Sequence, residues 1–128
     1  MTRPRILFAE DDPFIRRVVQ IALTRAGFDI VIVGDGAQAL AQMELQTFDA
    51  IVLDGMMPEL DGLEACRRIR ADARNDSMPV IILSARSQNT DEVSANAAGA
   101  TAYIKKPFDA TTLGAELRAI LERSALPC

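Results

Sequence analysis

The chain has 128 residues, 49% of them hydrophobic and 25% charged, with a formal net charge of −4 at neutral pH and no histidine. That suits one ordinary domain able to bury its own core without disulfides or a structural metal. Lack of histidine excludes a histidine general base, a histidine metal ligand and a self-contained phosphohistidine; the acidic balance disfavours direct nucleic-acid binding, and no apolar run is long enough to cross a membrane.

The basic start meets acids at Glu10 after only a short apolar stretch, which does not read as a signal peptide, so a cytoplasmic location is expected. Cys66 and Cys128 show no metal or redox spacing, and Cys66 reads as core packing.

In chain order, Ile6-Leu7-Phe8-Ala9 reads as a strand that runs into Glu10 and Asp11. Ile15, Val18, Val19, Ala22, Leu23 and Ala26 then recur at helical spacing with Arg16, Arg17, Gln20 and Arg25 opposite, predicting an amphipathic helix ended by Gly27. Ile30 to Val33 is a second strand that ends without chemistry, which places it toward a sheet edge. Gly34-Asp35-Gly36 opens a second helix from Ala37 to Leu45, and Ala50 to Leu53 forms a third strand delivering Asp54. A turn-rich stretch leads to a third helix, Leu63 to about Ala73. Its Arg67, Arg68, Arg70 and Arg74 read as a solvated face, with Glu64 spaced to pair with Arg68. Val80 to Leu83 delivers Ser84, and a short alanine-rich helix is expected from about Thr90 to Ala98. Ala102 to Ile104 delivers Lys105 and Lys106. A last helix, Thr111 to about Arg123, carries Leu113, Leu117, Ile120 and Leu121 on one face and has Asp109 placed as its cap.

Short β-branched runs alternating with helical patterns predict an α/β fold of (βα)5 type, a five-stranded parallel sheet covered on both faces. The whole chain, 1–128, is read as one domain with its core at about residues 5–123. Ligands of such sheets bind beyond the carboxyl ends of the strands, where Glu10, Asp11, Asp54, Ser84 and Lys106 fall. Two carboxylates about 5 Å apart at an effective dielectric of about 20 repel by roughly 3 kcal/mol, so a cation is expected between them. All-oxygen ligands favour a hard cation, and few carboxylates favour magnesium over calcium. With that ion and Lys106 present, Asp54 can stay ionised and attack phosphorus to form an aspartyl phosphate. Mg²⁺ would then contact one phosphoryl oxygen, Lys106 a second, and Ser84 with backbone N–H groups the third. A metal-dependent phosphohydrolase is the rival enzyme reading, but Asp54-Gly55-Met56 lacks a second acid two residues on. A nucleotide- or flavin-binding module would want a glycine-rich phosphate loop after the first strand, where Glu10 and Asp11 stand instead.

The motifs Ile6-Leu7-Phe8-Ala9-Glu10-Asp11-Asp12-Pro13, Leu53-Asp54-Gly55-Met56-Met57-Pro58-Glu59-Leu60-Asp61-Gly62, Leu83-Ser84-Ala85 and Tyr103-Ile104-Lys105-Lys106-Pro107-Phe108 resemble those of the receiver domain of two-component response regulators. The resemblance runs from Arg5 to about Arg123. It implies a doubly wound, flavodoxin-like sheet with strand order 2-1-3-4-5 and a cis bond before Pro107. It also implies that Asp54 is the phosphoacceptor, that Ser84 and Lys106 contact the phosphoryl group, and that Mg²⁺, or Mn²⁺ in its place, is held by Glu10, Asp11, Asp54 and the Met56 backbone carbonyl. Asp12, one place beyond the acid pair, reads as a helix cap.

Ser84 and Tyr103 would be switch residues acting on a face made by the fourth helix, fifth strand and fifth helix, while Met56 and Arg86 would tune how fast water removes the phosphoryl group. The implied partners are a sensor histidine kinase or histidine phosphotransfer protein and either a downstream protein target or an effector domain, the latter expected to be missing only if this is the full gene product. A stand-alone regulator, a phosphorelay member and a receiver fragment of a longer protein all fit.

Overall fold

Five strands, β1 (Arg5–Ala9), β2 (Asp29–Val33), β3 (Ala50–Asp54), β4 (Val80–Ser84) and β5 (Ala102–Lys105), form one parallel sheet in a computed structural model of the chain, in the order β2-β1-β3-β4-β5. The structure describes residues 3–55, 60–84, 96–106 and 109–125. Three helices, α1 (Pro13–Arg25), α2 (Gly36–Leu45) and α3 (Gly62–Ala71), a 3-10 turn at Ala73–Asn75 and a C-terminal helix at Ala110–Ala125 complete the described elements. The order expected from the resemblance is the one observed, and β2 lies at an edge as its chemically empty end suggested.

Alternation along the strands divides the core into two layers. Ile6, Phe8, Val52, Ile81 and Leu83 pack with Val19, Leu23, Phe28, Leu113, Leu117 and Ile120 on the side of α1 and the C-terminal helix. Leu7, Ala9, Ile51, Leu53, Val80 and Ile82 pack with Ala39, Ala65, Cys66 and Ile69 on the side of α2 and α3. Every residue of β3 and β4 is buried, which is why those strands are continuous apolar runs rather than alternating ones.

Helix ends follow local chemistry. Asp12 caps α1, its Oδ1 accepting from the Phe14 N–H at 2.9 Å, and Pro13 occupies the first turn. Gly27, at φ +98°, turns the chain back into β2. The third helix was expected to reach about Ala73, two residues beyond its observed end at Ala71. It stops short because Asp72 is extended (φ −96°, ψ 115°) and its carboxylate accepts from the Arg74 N–H, opening the 3-10 turn instead. The expected fourth helix lies mostly outside the described residues; of it, residues 96 and 97 are helical.

The arginine face of α3 needs one correction. Arg67 and Arg68 pair with Glu64 at 3.4 and 3.3 Å and remain about half exposed, as a solvated face should. Arg70 is not part of that face: its guanidinium bonds to Gly99 O, Asn75 O and Thr101 Oγ1. Its place on the helix turns it toward the chain entering β5, a direction that spacing along α3 did not reveal.

Candidate functional site

Register brings the site together. Ala9 pairs with Leu53, so Glu10 and Asp54 leave neighbouring strands at the same level. Asp54 pairs with Leu83, and Ser84 with Lys105, which carries the ladder on to Lys106. The strand ends are pinned by Glu10 N–H to Val33 O at 3.0 Å, Gly55 N–H to Leu83 O at 2.7 Å and Lys106 N–H to Ser84 O at 2.7 Å. Gly62 permits a close approach that motif reading passed over. A Cβ there would lie 2.4 Å from Asp54 O, so only glycine lets the start of α3 press against the end of β3.

Glu10, Asp54 and Ser84 are the buried polar residues of the described chain, at 1%, 5% and 6% exposure. Lys106 Nζ reaches between the two acids, 2.9 Å from Glu10 Oε1 and 2.8 Å from Asp54 Oδ2. Asp11 is exposed, yet Glu10, Asp11 and Asp54 each offer a carboxylate oxygen within 4.8 Å of the others. Ser84 Oγ stands 3.7 Å from where a side chain on Gly55 would begin.

One ammonium cannot neutralise two buried carboxylates. The Glu10 pKa is raised from 4.5 to about 7: burial is the largest cause and Asp54 adds to the rise, while hydrogen bonds from Lys106 and the Asp12 N–H oppose it. Burial pulls the Lys106 ammonium down, but its bonds to Asp54 and Glu10 outweigh that and its pKa is raised overall. A second cation beside Lys106 would relieve the excess negative charge, and an all-carboxylate oxygen set fits a hard divalent ion.

Tyr103 pairs with Ile82 and packs half-buried against the α2 and α3 side of the core. Ser84 is two residues beyond Ile82, so Ser84 and Tyr103 face the same side of the sheet. Met56, Arg86 and the bond before Pro107 lie outside the described residues.

The model of the response regulator receiver domain matches residues 6–118. This chain belongs to that family. It is a receiver domain of the two-component response regulators, and this removes the phosphohydrolase and nucleotide-binding readings. It is 44% identical to the transcriptional regulatory protein CseB of Streptomyces coelicolor over 118 residues, covering 92% of this chain and 49% of CseB. The receiver domain of Francisella response regulator 1452 superposes with a TM-score of 0.86 at 31% identity, covering 94% of this chain and 98% of that one. Chemotaxis response regulator CheY4 of Vibrio cholerae gives 0.87 at 29% identity, covering 93% and 99%. The receiver spans about half the length of the curated relatives it matches. Among the described residues, no helix is long and apolar enough to cross a membrane.

Proposed function

We propose that this receiver is a phosphoacceptor switch in which Asp54 takes a phosphoryl group from the phosphohistidine of a sensor kinase or histidine phosphotransfer protein. The observation that carries the reading is the Lys106 ammonium set between Asp54 and Glu10, with Asp11 within carboxylate reach. An Asp54 carboxylate oxygen forms a bond to phosphorus as the phosphorus–nitrogen bond of the donor breaks, and the electron pair returns to the donor imidazole. Lys106 neutralises charge on Asp54 and then binds a phosphoryl oxygen, while the Ser84 hydroxyl donates to another. Glu10, Asp11 and Asp54, with the Met56 carbonyl that the resemblance adds, would hold Mg²⁺ or Mn²⁺, which supplies Lewis-acid neutralisation of the phosphoryl oxygens. Met56 and Arg86 would set the rate of hydrolysis.

After phosphorylation, Ser84 moves toward the phosphoryl group and Tyr103, on the same side of the sheet, turns inward. That changes the face presented by β5 and the C-terminal helix to a downstream protein or to an effector region of a longer chain. CseB is named a transcriptional regulator, and an output in transcription would follow if this receiver is part of a comparable protein.

Intact mass after incubation with acetyl phosphate tests the chemistry. Wild type should gain one phosphoryl group only with Mg²⁺, and Asp54→Asn should gain none. A gain that survives Asp54→Asn would overturn the assignment.

A further inference from the structure

α3 turns two side chains toward the connection leading into β5. The Cys66 thiol donates to Ala98 O at 3.3 Å. One turn later the Arg70 guanidinium spreads over three acceptors, Nε to Gly99 O at 2.8 Å, Nη1 to Asn75 O at 2.7 Å and Nη2 to Thr101 Oγ1 at 3.1 Å. Thr101 is held from the other side as well. Its Oγ1 accepts from the Val80 N–H at 3.0 Å, and its own N–H donates to Val80 O at 2.7 Å. Gly99 makes the fit specific: at φ +96°, a Cβ there would lie 2.7 Å from Arg70 Cγ. A rigid fork of donors can serve these spread acceptors together, whereas the compact ammonium of lysine cannot.

This grip ends two residues before Tyr103 and one before the first residue of β5. It occurs together with a Lys106 ammonium bonded to Asp54 and Glu10, the arrangement suited to an unphosphorylated acceptor. We propose that Arg70 is a positioning residue of the switch: by holding Gly99 and Thr101 against α3 it favours the resting arrangement and limits how far Tyr103 turns inward before phosphorylation. The proposal rests on the switch reading above. An anchor bonded in one arrangement and strained or broken in the other shifts the balance between them, whatever ligand arrives later.

Tyr103 is the chain's only tyrosine, and there is no tryptophan, so tyrosine emission reports this residue alone. The experiment records that emission for wild type, Arg70→Lys and Arg70→Gln, each confirmed folded by circular dichroism, before and after beryllofluoride with Mg²⁺ as a phosphoryl mimic. Wild type should change on adding the mimic. Arg70→Gln without mimic should already lie at least halfway to the activated value, Arg70→Lys should fall between, and all three should share the activated end point. A folded Arg70→Gln whose resting emission equals that of wild type, or moves away from the activated value, overturns the proposal while leaving the switch reading intact. A wild type blind to the mimic sinks the Tyr103 switch itself, and the role of Arg70 with it.

Discussion

Acids and bases meet in two parts of this molecule with opposite consequences. On α3 Glu64 pairs with Arg67 and Arg68 at 3.4 and 3.3 Å, and just beyond it Asp72 pairs with Arg74 at 2.6 Å, all on side chains a third or more exposed. At the strand ends, Lys106 pairs with Glu10 and Asp54 at similar distances, but the acids are buried and outnumber the base. Water screens the first set, so each pair is worth little. The second set is held out of water by the packing of β1, β3 and β4, and its unbalanced charge suits a further cation. Distance is shared between the two regions; burial separates them.

The largest break in that contrast should come from Lys106→Met. Two buried carboxylates would then face each other without a cation, costing about 3 kcal/mol of stability at pH 8 in chelator. Urea unfolding measures it, and a loss under about 1 kcal/mol would show that the pair is far better solvated than its burial indicates.

Glu10→Gln should act in the opposite direction. The folded pKa of Glu10, about 7, lies above its ordinary 4.5, so the folded state holds this proton where the unfolded state has lost it. Its contribution is therefore fully present below about pH 4.5 and disappears as pH rises through about 7. Without divalent ions, Glu10→Gln should gain about 2 kcal/mol over wild type at pH 8, and much less at pH 5. A gain equal at both pH values would count against titration of Glu10 as its source. Added Mg²⁺ should narrow the difference at pH 8 by stabilising wild type through binding.

The smallest effect belongs to the exposed side of the comparison. Glu64→Gln should cost less than about 0.5 kcal/mol, and 1 M salt should erase the cost. A loss as large as that of Lys106→Met would mean that the α3 pairs are not the screened contacts their exposure implies.

Much of the architecture was legible because its signals are local. Runs such as Val80-Ile81-Ile82-Leu83 have no polar side to show, so a strand buried on both faces follows from composition. Asp12, Gly27 and Asp109 announce helix ends through their own side chains or backbone freedom. The candidate site residues stand in the motifs that carry the family resemblance, and the strand ends bring Glu10, Asp54 and Lys106 together. Arg70 and Gly62 were not legible. One is an arginine among four on a helix and the other a glycine in a turn-rich stretch, and what distinguishes each is a neighbour distant in sequence, Gly99 and Thr101 for the arginine, Asp54 O for the glycine.

Residue type and short-range spacing were enough to give the elements, the alternation of strand and helix, and a set of strand-end side chains whose chemistry suits a phosphoryl group and a hard cation. Tertiary structure alone decided that Glu10 is buried beside Asp54 and shares Lys106 with it, and that Arg70 leaves its solvated neighbours to hold the entry to β5. Those outcomes depend on strand register and on which helix face meets the sheet, and both are settled only when segments far apart in the chain exclude water together.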